Sequence, residues 1–184
     1  MKYSILSLTK VHDSILMWAH YCEDHTGFVV EVDIQNYFFN QQPGVTLREV
    51  SYTKNRPKFS FPDFVASLED QKTHPDENHS SQIQDIFHTK SNDWQYEEEW
   101  RLVVSNLSNY AKLEDCTSCD GNPVPGLKKL PIDAFNTIIL GCRGSYDHVA
   151  QALEFGKQNN IQIDQMKDHS TDYKIVRKNL YKSG

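Results

Sequence analysis

The C-terminal part of the chain constrains the fold most, because its secondary-structure pattern is the clearest. Residues 135–142 (FNTIILGC) form an apolar run typical of a buried strand. A helix opened by Ser145 follows and ends at Gly156 or at the Asn pair after it. Residues 161–167 (IQIDQMK) and 173–178 (YKIVRK) then predict two closing strands.

Shorter elements are predicted upstream. Residues 2–9 (KYSILSLT) are apolar and compatible with a strand, and Asp13 or Ser14 could cap a helix that runs to about Tyr21. Strands are predicted over 28–33 (FVVEVD) and 46–53 (TLREVSYT).

The middle of the chain mixes helices, loops and one strand. Short helices are predicted over 62–70 and about 81–88, and a strand over 101–105. The polar stretch 70–82 and the Gly- and Pro-containing stretch 110–129 are typical of loops. The chain is therefore predicted to be α+β, with mixed, mostly antiparallel sheets and a few short helices.

Length and composition narrow the class of protein. With 184 residues the chain has room for one domain, predicted here to span residues 1–184. A net charge of −6 argues against a protein that coats nucleic acid. The sequence contains neither an apolar run long enough to cross a bilayer nor a signal peptide, so no membrane partner is expected. Its four cysteines are then most simply reduced thiols in the cytoplasm.

The first candidate site is the acidic stretch WQYEEEWRLVV, residues 94–104. In a strand, Glu97 and Glu99 would share one face, and Glu98 and Trp100 the other. Two carboxylates on one face can orient a hydroxyl and accept its proton, and Arg101 is predicted to pair with Glu98 or with a buried acid. The alternative is a solvated acidic turn that protects a strand edge.

The second candidate is MWAHYCEDHTG, residues 17–27. His20 and Asp24 would share a helical face, but the zinc-binding pattern HExxH is absent, so no metal is expected. One interpretation is that His20 and Tyr21 line a pocket. The other is that Trp18 and Tyr21 are core aromatics and His20 is a core histidine with its hydrogen bonds satisfied.

Two short motifs are less specific. Cys116 and Cys119 form a lone CxxC in a loop, which predicts an incidental pair. Residues 141–144 (GCRG) could present backbone N–H groups to a phosphate, but they lack the GxGxxG spacing and are more typical of a plain strand-to-helix turn.

Several of these stretches, in this order, resemble a bacterial family known as domain of unknown function 2971. The segments that carry the resemblance are ILSLT (5–9), MWAHYCEDHTGF (17–28), VSY (50–52), FHTKS (87–91), WQYEEEWR (94–101) and IILG (138–141). Members of that family usually carry a further N-terminal segment ahead of the SLT strand. The expectation is that this chain lacks it.

A weaker resemblance is to the ADP-ribosyltransferase superfamily, through a Ser-x-Thr strand followed much later by Glu-x-Glu before an apolar strand. It implies NAD as substrate, Glu99 as the catalytic carboxylate and Glu97 as the carboxylate on the acceptor side. It also implies that Ser7 and Thr9 brace the site.

The same resemblance implies a cleft of further NAD-binding residues. Tyr21 or Trp18 would be the ring that stacks on nicotinamide, and His20 would replace a gripping residue expected upstream of the first strand. The other residues expected to line the cleft are Lys90, Tyr96 and Arg101.

Two readings of function remain. The first is an NAD-dependent ADP-ribosyltransferase or NAD hydrolase. The alternative is a non-catalytic module that binds a nucleotide or a protein. A metal-dependent nuclease using His20 and His25 is disfavoured by the negative net charge.

Overall fold

The computed structural model describes residues 3–40, 44–58, 60–62, 65–66, 85–105, 115–118 and 120–184. They form two compact units, each assembled from two separate stretches of chain. Unit 1 comprises residues 1–10 and 39–129, and unit 2 comprises residues 11–38 and 130–184. The predicted fold class, α+β with antiparallel sheets and a few short helices, is confirmed. A single domain over residues 1–184 stays a prediction.

The elements are, in chain order, β1 (Tyr3–Thr9), α1 (Ile15–Tyr21), β2 (Phe28–Val32), α2 (Tyr37–Asn40), β3 (Val45–Glu49), β4 (Ser51–Thr53), β5 (Thr89–Ser91), a 3₁₀-helix (Asn92–Glu97), β6 (Glu99–Ser105), β7 (Asp115–Thr117), β8 (Pro123–Lys128), a 3₁₀ turn (Ile132–Ala134), β9 (Phe135–Leu140), α3 (Tyr146–Asn159), β10 (Gln162–Asp168) and β11 (Ile175–Tyr181).

Unit 1 is organised around an antiparallel sheet in the order β1-β6-β3. The central strand β6 is apolar at Leu102, Val103 and Val104, and all three side chains are buried. A parallel pair, β4-β5, and an antiparallel pair, β7-β8, complete its described strands.

The register of β1 against β6 places polar side chains on one face. Ser7 lies opposite Arg101, and Thr9 lies opposite Glu99. Because cross-strand partners share a face and side chains alternate along a strand, all four side chains belong to the same face of the sheet.

Unit 2 has a four-stranded sheet in the order β11-β10-β9-β2. β9 and β10 are parallel and α3 connects them, whereas the two outer pairings are antiparallel. Its core contains Trp18 of α1 and Met166 of β10, packed with Cys22, Ile139 and Ile175.

Both predicted helix caps in unit 2 are confirmed. The Ser14 hydroxyl accepts from the backbone N–H of Met17 at 3.4 Å, and the Ser145 hydroxyl accepts from that of His148 at 3.2 Å. α3 ends at the Asn pair, where Asn160 adopts the left-handed conformation with φ 54°.

The turn after α1 has an unusual backbone. Glu23, Asp24 and His25 all have positive φ, of 46°, 53° and 69°, which costs about 1 kcal/mol or more for each non-glycine residue. The first residue after β9, Gly141, lies against this turn and donates its N–H to the Gly27 carbonyl at 2.9 Å. A Cβ on Gly141 would lie 2.0 Å from the backbone oxygen of His25, so only glycine fits there.

Three sequence predictions are wrong in detail. The strand over 46–53 is divided at Val50. The N–H of Val50 donates to the carbonyl of Glu99, whereas the N–H of Ser51 donates to the carbonyl of His88. The stretch 110–129 contains β7 and β8 rather than only a loop, and Pro123 is the first residue of β8, where proline is tolerated. His20 and Asp24 do not share a helical face, because α1 ends at Tyr21.

Other predictions fall largely outside the described residues. These are the helix over 62–70, the loop over 70–82, the first part of the helix over 81–88, and Cys119 of the CxxC pair. Within the part of the chain that the structure describes, no helix is both long and apolar enough to span a membrane.

Replacing Gly141 by alanine is expected to destabilise the protein by about 3 kcal/mol or more, because a new methyl group would collide with backbone rather than with a flexible side chain. Urea denaturation measures the change. Gly144→Ala is the matched control in the same turn, since its nearest contact would be 3.3 Å and its expected cost is below about 1 kcal/mol. Equal unfolding midpoints for Gly141→Ala and wild type would contradict the close approach.

Candidate functional site

The acidic stretch folds differently from the predicted strand, yet it still brings two carboxylates together. Glu97 is the last residue of the 3₁₀-helix, and β6 begins at Glu99. Glu98 between them is left-handed with φ 43° and is exposed. The prediction that Glu97 and Glu99 share one face of a single strand is therefore wrong, because Glu97 belongs to the 3₁₀-helix and the strand begins only after the left-handed Glu98.

Lys90 of β5 joins the two carboxylates. Its Nζ lies 2.9 Å from Glu99 Oε2 and also contacts Glu97 Oε2. Both glutamates are 4% exposed, whereas the Lys90 side chain is 20% exposed. Two acids buried this close together would repel each other strongly without a cation between them.

Arg101 supplies the second cation. Its Nε donates to Glu99 Oε1 at 2.7 Å and its Nη2 donates to Oε2 at 3.1 Å, which is a two-point pairing. Its Nη1 donates to the Phe87 carbonyl at 2.6 Å. Of the two predicted partners for Arg101, the buried acid is confirmed and Glu98 is not.

The strand β1 contributes two hydroxyls to the same cluster. Ser7 lies close enough to Glu99 to help lower the pKa of its carboxyl. The Thr9 hydroxyl donates to the backbone carbonyl of Glu97 at 2.6 Å. These contacts follow from the register, which places both residues beside the first residues of β6.

Two further residues of the cluster were given no role by the sequence. The Tyr52 hydroxyl accepts from the backbone N–H of Glu99 at 2.7 Å. His88 is buried, with its Nε2 3.4 Å from the Arg101 carbonyl. Both lie within segments that carry the family resemblance, which was the available signal, but only the fold reveals what they contact.

The hydrogen bonds decide the charge states. Burial alone would raise the pKa of Glu99, but hydrogen bonds from Arg101, Ser7 and Lys90 outweigh it and lower the pKa from 4.5 to about 2. Burial alone would lower the pKa of Lys90, but its bonds to Glu97 and Glu99 raise it. Glu99 is thus an anion at neutral pH, and Lys90 is a cation.

Aromatic rings lie next to the Lys90 ammonium. Its Nζ is 5.1 Å from the ring centroid of Trp94, within cation–π range. The Trp94 and Tyr96 rings are 6.1 Å apart, and Trp94 is 39% exposed. An exposed ring beside a cation can stack on a planar ligand that carries an anionic group.

The predicted site residues divide between the two units. The cluster in unit 1 contains Ser7, Thr9, Lys90, Tyr96, Glu97, Glu99 and Arg101. The other three belong to α1 in unit 2.

Those three residues of α1 have different environments. Trp18 is 2% exposed, and its Nε1 donates to the His12 carbonyl at 2.7 Å, so it is a core aromatic. His20 and Tyr21 are exposed, with their rings 6.2 Å apart edge to face. The core-aromatic interpretation is therefore right for Trp18 and wrong for Tyr21, and His20 is not a core histidine.

The turn 141–144 uses its backbone N–H groups internally. Gly141 donates to Gly27, Arg143 donates to His25 at 3.0 Å, and Gly144 donates to Gly141 at 3.2 Å. These bonds favour the plain strand-to-helix turn over a phosphate loop. Among the described residues, no group of three or more His, Cys, Asp or Glu side chains is arranged to hold a metal ion.

Replacing Glu99 by glutamine is expected to lower the free energy of unfolding by about 3–5 kcal/mol at pH 7, since Lys90 and Arg101 lose a buried partner. The folded pKa of about 2 lies below the ordinary 4.5, so the stability that ionised Glu99 provides is full above about pH 4.5 and is lost as the pH falls toward 2. Chemical denaturation from pH 7 to pH 2.5 should show the two proteins converging at the acid end.

The neighbouring exposed residue provides the control for that profile. Glu98→Gln should leave the stability within about 0.5 kcal/mol of wild type at every pH. A constant difference between wild type and Glu99→Gln across this range would contradict the depressed pKa.

Comparison with known proteins adds the family. Residues 17–102 match the model of a family described as Protein of unknown function (DUF2971). No curated protein and no solved structure matches the chain. The matched stretch contains α1 from Met17 onward and its left-handed turn, together with Tyr52, Lys90 and the Glu-x-Glu of the cluster. Residues 17–102 are therefore similar to the DUF2971 family, the resemblance that the sequence motifs predicted.

Proposed function

We propose that unit 1 binds NAD and that Glu99 stabilises positive charge on its ribose, which would give NAD hydrolysis or ADP-ribosyl transfer. The observation that carries this proposal is the register of β1 against β6, which places Ser7 opposite Arg101 and Thr9 opposite Glu99 on one face of the sheet. The resemblance to ADP-ribosyltransferases implies a Ser/Thr strand that braces a catalytic carboxylate, and β1 lies directly beside the strand that begins at Glu99.

The electrostatics of Glu99 suit this chemistry. The reaction breaks the bond between C1′ of the ribose and the nicotinamide nitrogen, and the bonding electron pair leaves with nicotinamide. The sugar becomes cationic, and a fixed anion beside it lowers the barrier. Glu99 is already ionised, and donors from Ser7 and Arg101 hold it in place.

Glu97 has the role of base in this proposal. An incoming water or acceptor hydroxyl bonds to C1′ and loses a proton, which the Glu97 carboxylate accepts. Glu97 and Glu99 share Lys90, so both carboxylates adjoin one position.

Lys90 must leave that position for the reaction to occur. Its ammonium lies where the two carboxylates converge, and the cationic sugar would have to replace it. Lys90 is suited to move because its four-carbon chain is flexible, whereas Arg101 is held to Glu99 by two hydrogen bonds.

Nicotinamide release from NAD tests the enzymatic proposal. Wild type should release nicotinamide, with cell lysate supplied as acceptor in parallel. Ser7→Ala should slow release about tenfold, because a hydrogen bond to a charged group contributes about 1.5 kcal/mol. Ser7 is an exposed residue, so the variant should fold like wild type.

A matched serine provides the control for this test. Ser118→Ala removes a hydroxyl in the β7–β8 connection and should leave the rate unchanged. No release by wild type, or equal rates for wild type and Ser7→Ala, would refute the proposal.

A second function, a non-catalytic nucleotide-binding module, is favoured by a separate observation. Both carboxylates are buried and neutralised by Lys90 and Arg101, which is a stable arrangement that needs no reaction. In that case the exposed ring of Trp94 and the Lys90 ammonium would hold the base and phosphate of a nucleotide.

Calorimetric titration with NAD distinguishes the two. A binding module should bind NAD without releasing nicotinamide, and Trp94→Ala should weaken binding about tenfold or more because base stacking contributes about 1–3 kcal/mol. Phe61→Ala removes another exposed ring of unit 1 and should not change the affinity. Equal affinity of Trp94→Ala and wild type would refute the stacking role.

A further inference from the structure

Unit 2 contains a cavity that the proposed function does not use. It has a volume of about 430 Å³ and is formed within unit 2 by the turn after β9, the connection between β10 and β11, and residues beside α1. This is the size range of sites that hold small organic ligands.

A buried histidine belongs to the lining of this cavity, and one of its ring nitrogens is shielded from solvent and has no partner. His25 is 7% exposed, and its Nδ1 has no hydrogen-bond partner. The position of His25 costs conformational free energy, since it is the third consecutive non-glycine residue with positive φ. Buried polar atoms without partners are rare in folded proteins, and strained backbone is concentrated at ligand sites.

An acidic group lies on one side of the cavity. Asp168 is exposed and lies in the same lining as Cys142. Burial, together with the Asp168 carboxylate, raises the pKa of Cys142. The thiol is therefore neutral and contributes to the lining of the cavity rather than acting as a nucleophile. A carboxylate has about four acceptor positions, which leaves Asp168 able to receive two N–H donors from a ligand.

Basic groups lie in the same lining. Arg143 uses Nη1 to bind Asp24 at 2.9 Å, and its side chain is 62% exposed. Lys174 contacts Asp172 at 2.9 Å. Because a guanidinium has five donors and an ammonium has three, both can also bind an anionic ligand group.

An exposed ring completes the lining. Tyr173 is fully exposed and lies in the connection between β10 and β11. The backbone of that connection is fixed, since His169 Nδ1 accepts from the N–H of Asp172 at 3.1 Å and the His169 N–H bonds to the Lys174 carbonyl at 3.0 Å. A ring on such a support can cover a planar ligand.

We propose that this cavity is a nucleotide site distinct from the cluster of unit 1, and that it binds a purine nucleoside monophosphate of the guanine type. Guanine presents a ring N–H and an amino group side by side, which match the two oxygens of Asp168. The phosphate binds Arg143 and Lys174, and the base packs against Tyr173. An amino acid would leave most of about 430 Å³ unfilled, which favours the larger ligand.

Calorimetric titration of the full chain with GMP tests the proposal. GMP should bind at least about tenfold more tightly than guanosine, which lacks the phosphate, and IMP, which lacks the amino group. Asp168→Asn and Arg143→Gln should each weaken GMP binding about tenfold. Both side chains are exposed, so both variants should fold.

Controls separate this site from the one in unit 1. Asp120→Asn changes an exposed acid of unit 1 and should leave GMP binding unchanged. Absence of GMP binding at millimolar concentration, or wild-type affinity in Asp168→Asn, would overturn the proposal. Loss of GMP binding in Trp94→Ala but not in Asp168→Asn would also overturn it, since the ligand would then bind at unit 1. Nicotinamide release uses a different readout and different variants, so either proposal can fail alone.

Discussion

Two carboxylates buried side by side are the constraint on which unit 1 depends. Glu97 and Glu99 are both 4% exposed, and each would be costly to ionise without a cation beside it. Lys90 comes from β5 and Arg101 from β6, so the ion pairs join the short parallel pair β4-β5 to the three-stranded sheet. The same contacts that hold these elements together also keep Glu99 ionised.

This network places a limit on the chemistry that the cluster can perform. Arg101 binds Glu99 at two points and also holds the Phe87 carbonyl, so it is fixed. Lys90 has one flexible chain and lies beside the exposed ring of Trp94. Any ligand that reaches the carboxylates must therefore exchange with Lys90 rather than with Arg101, and a cationic ligand is the one that preserves the charge balance.

The sequence predicted most of the strands and helices because local signals were strong there. Ser14 and Ser145 are good caps, and the apolar run of β9 has few alternatives. Prediction of secondary structure fails where long-range contacts determine the backbone conformation. The division at Val50 depends on hydrogen bonds to residues about 40 to 50 positions away, which no local pattern records.

The candidate site was predicted only in part, because local signals identified its acidic residues but not the long-range contacts between them. Glu97 and Glu99 were singled out by composition, yet their convergence comes from the left-handed Glu98 and from Lys90, not from strand alternation. Tyr52 was missed because its contact is to a backbone N–H of a distant strand. Trp18 could not be placed from the sequence, since a buried ring and a stacking ring have the same residue type.

The interleaved connectivity of the two units has a consequence for synthesis on the ribosome. β1 pairs with β6, about ninety residues later, and β2 pairs with β9, about one hundred residues later. Both N-terminal strands therefore leave the ribosome long before their partners exist. Contacts this distant in sequence close slowly, so β1 and β2 stay unpaired while the chain between them and their partner strands is synthesised. Unpaired apolar strands that are exposed for this interval favour aggregation.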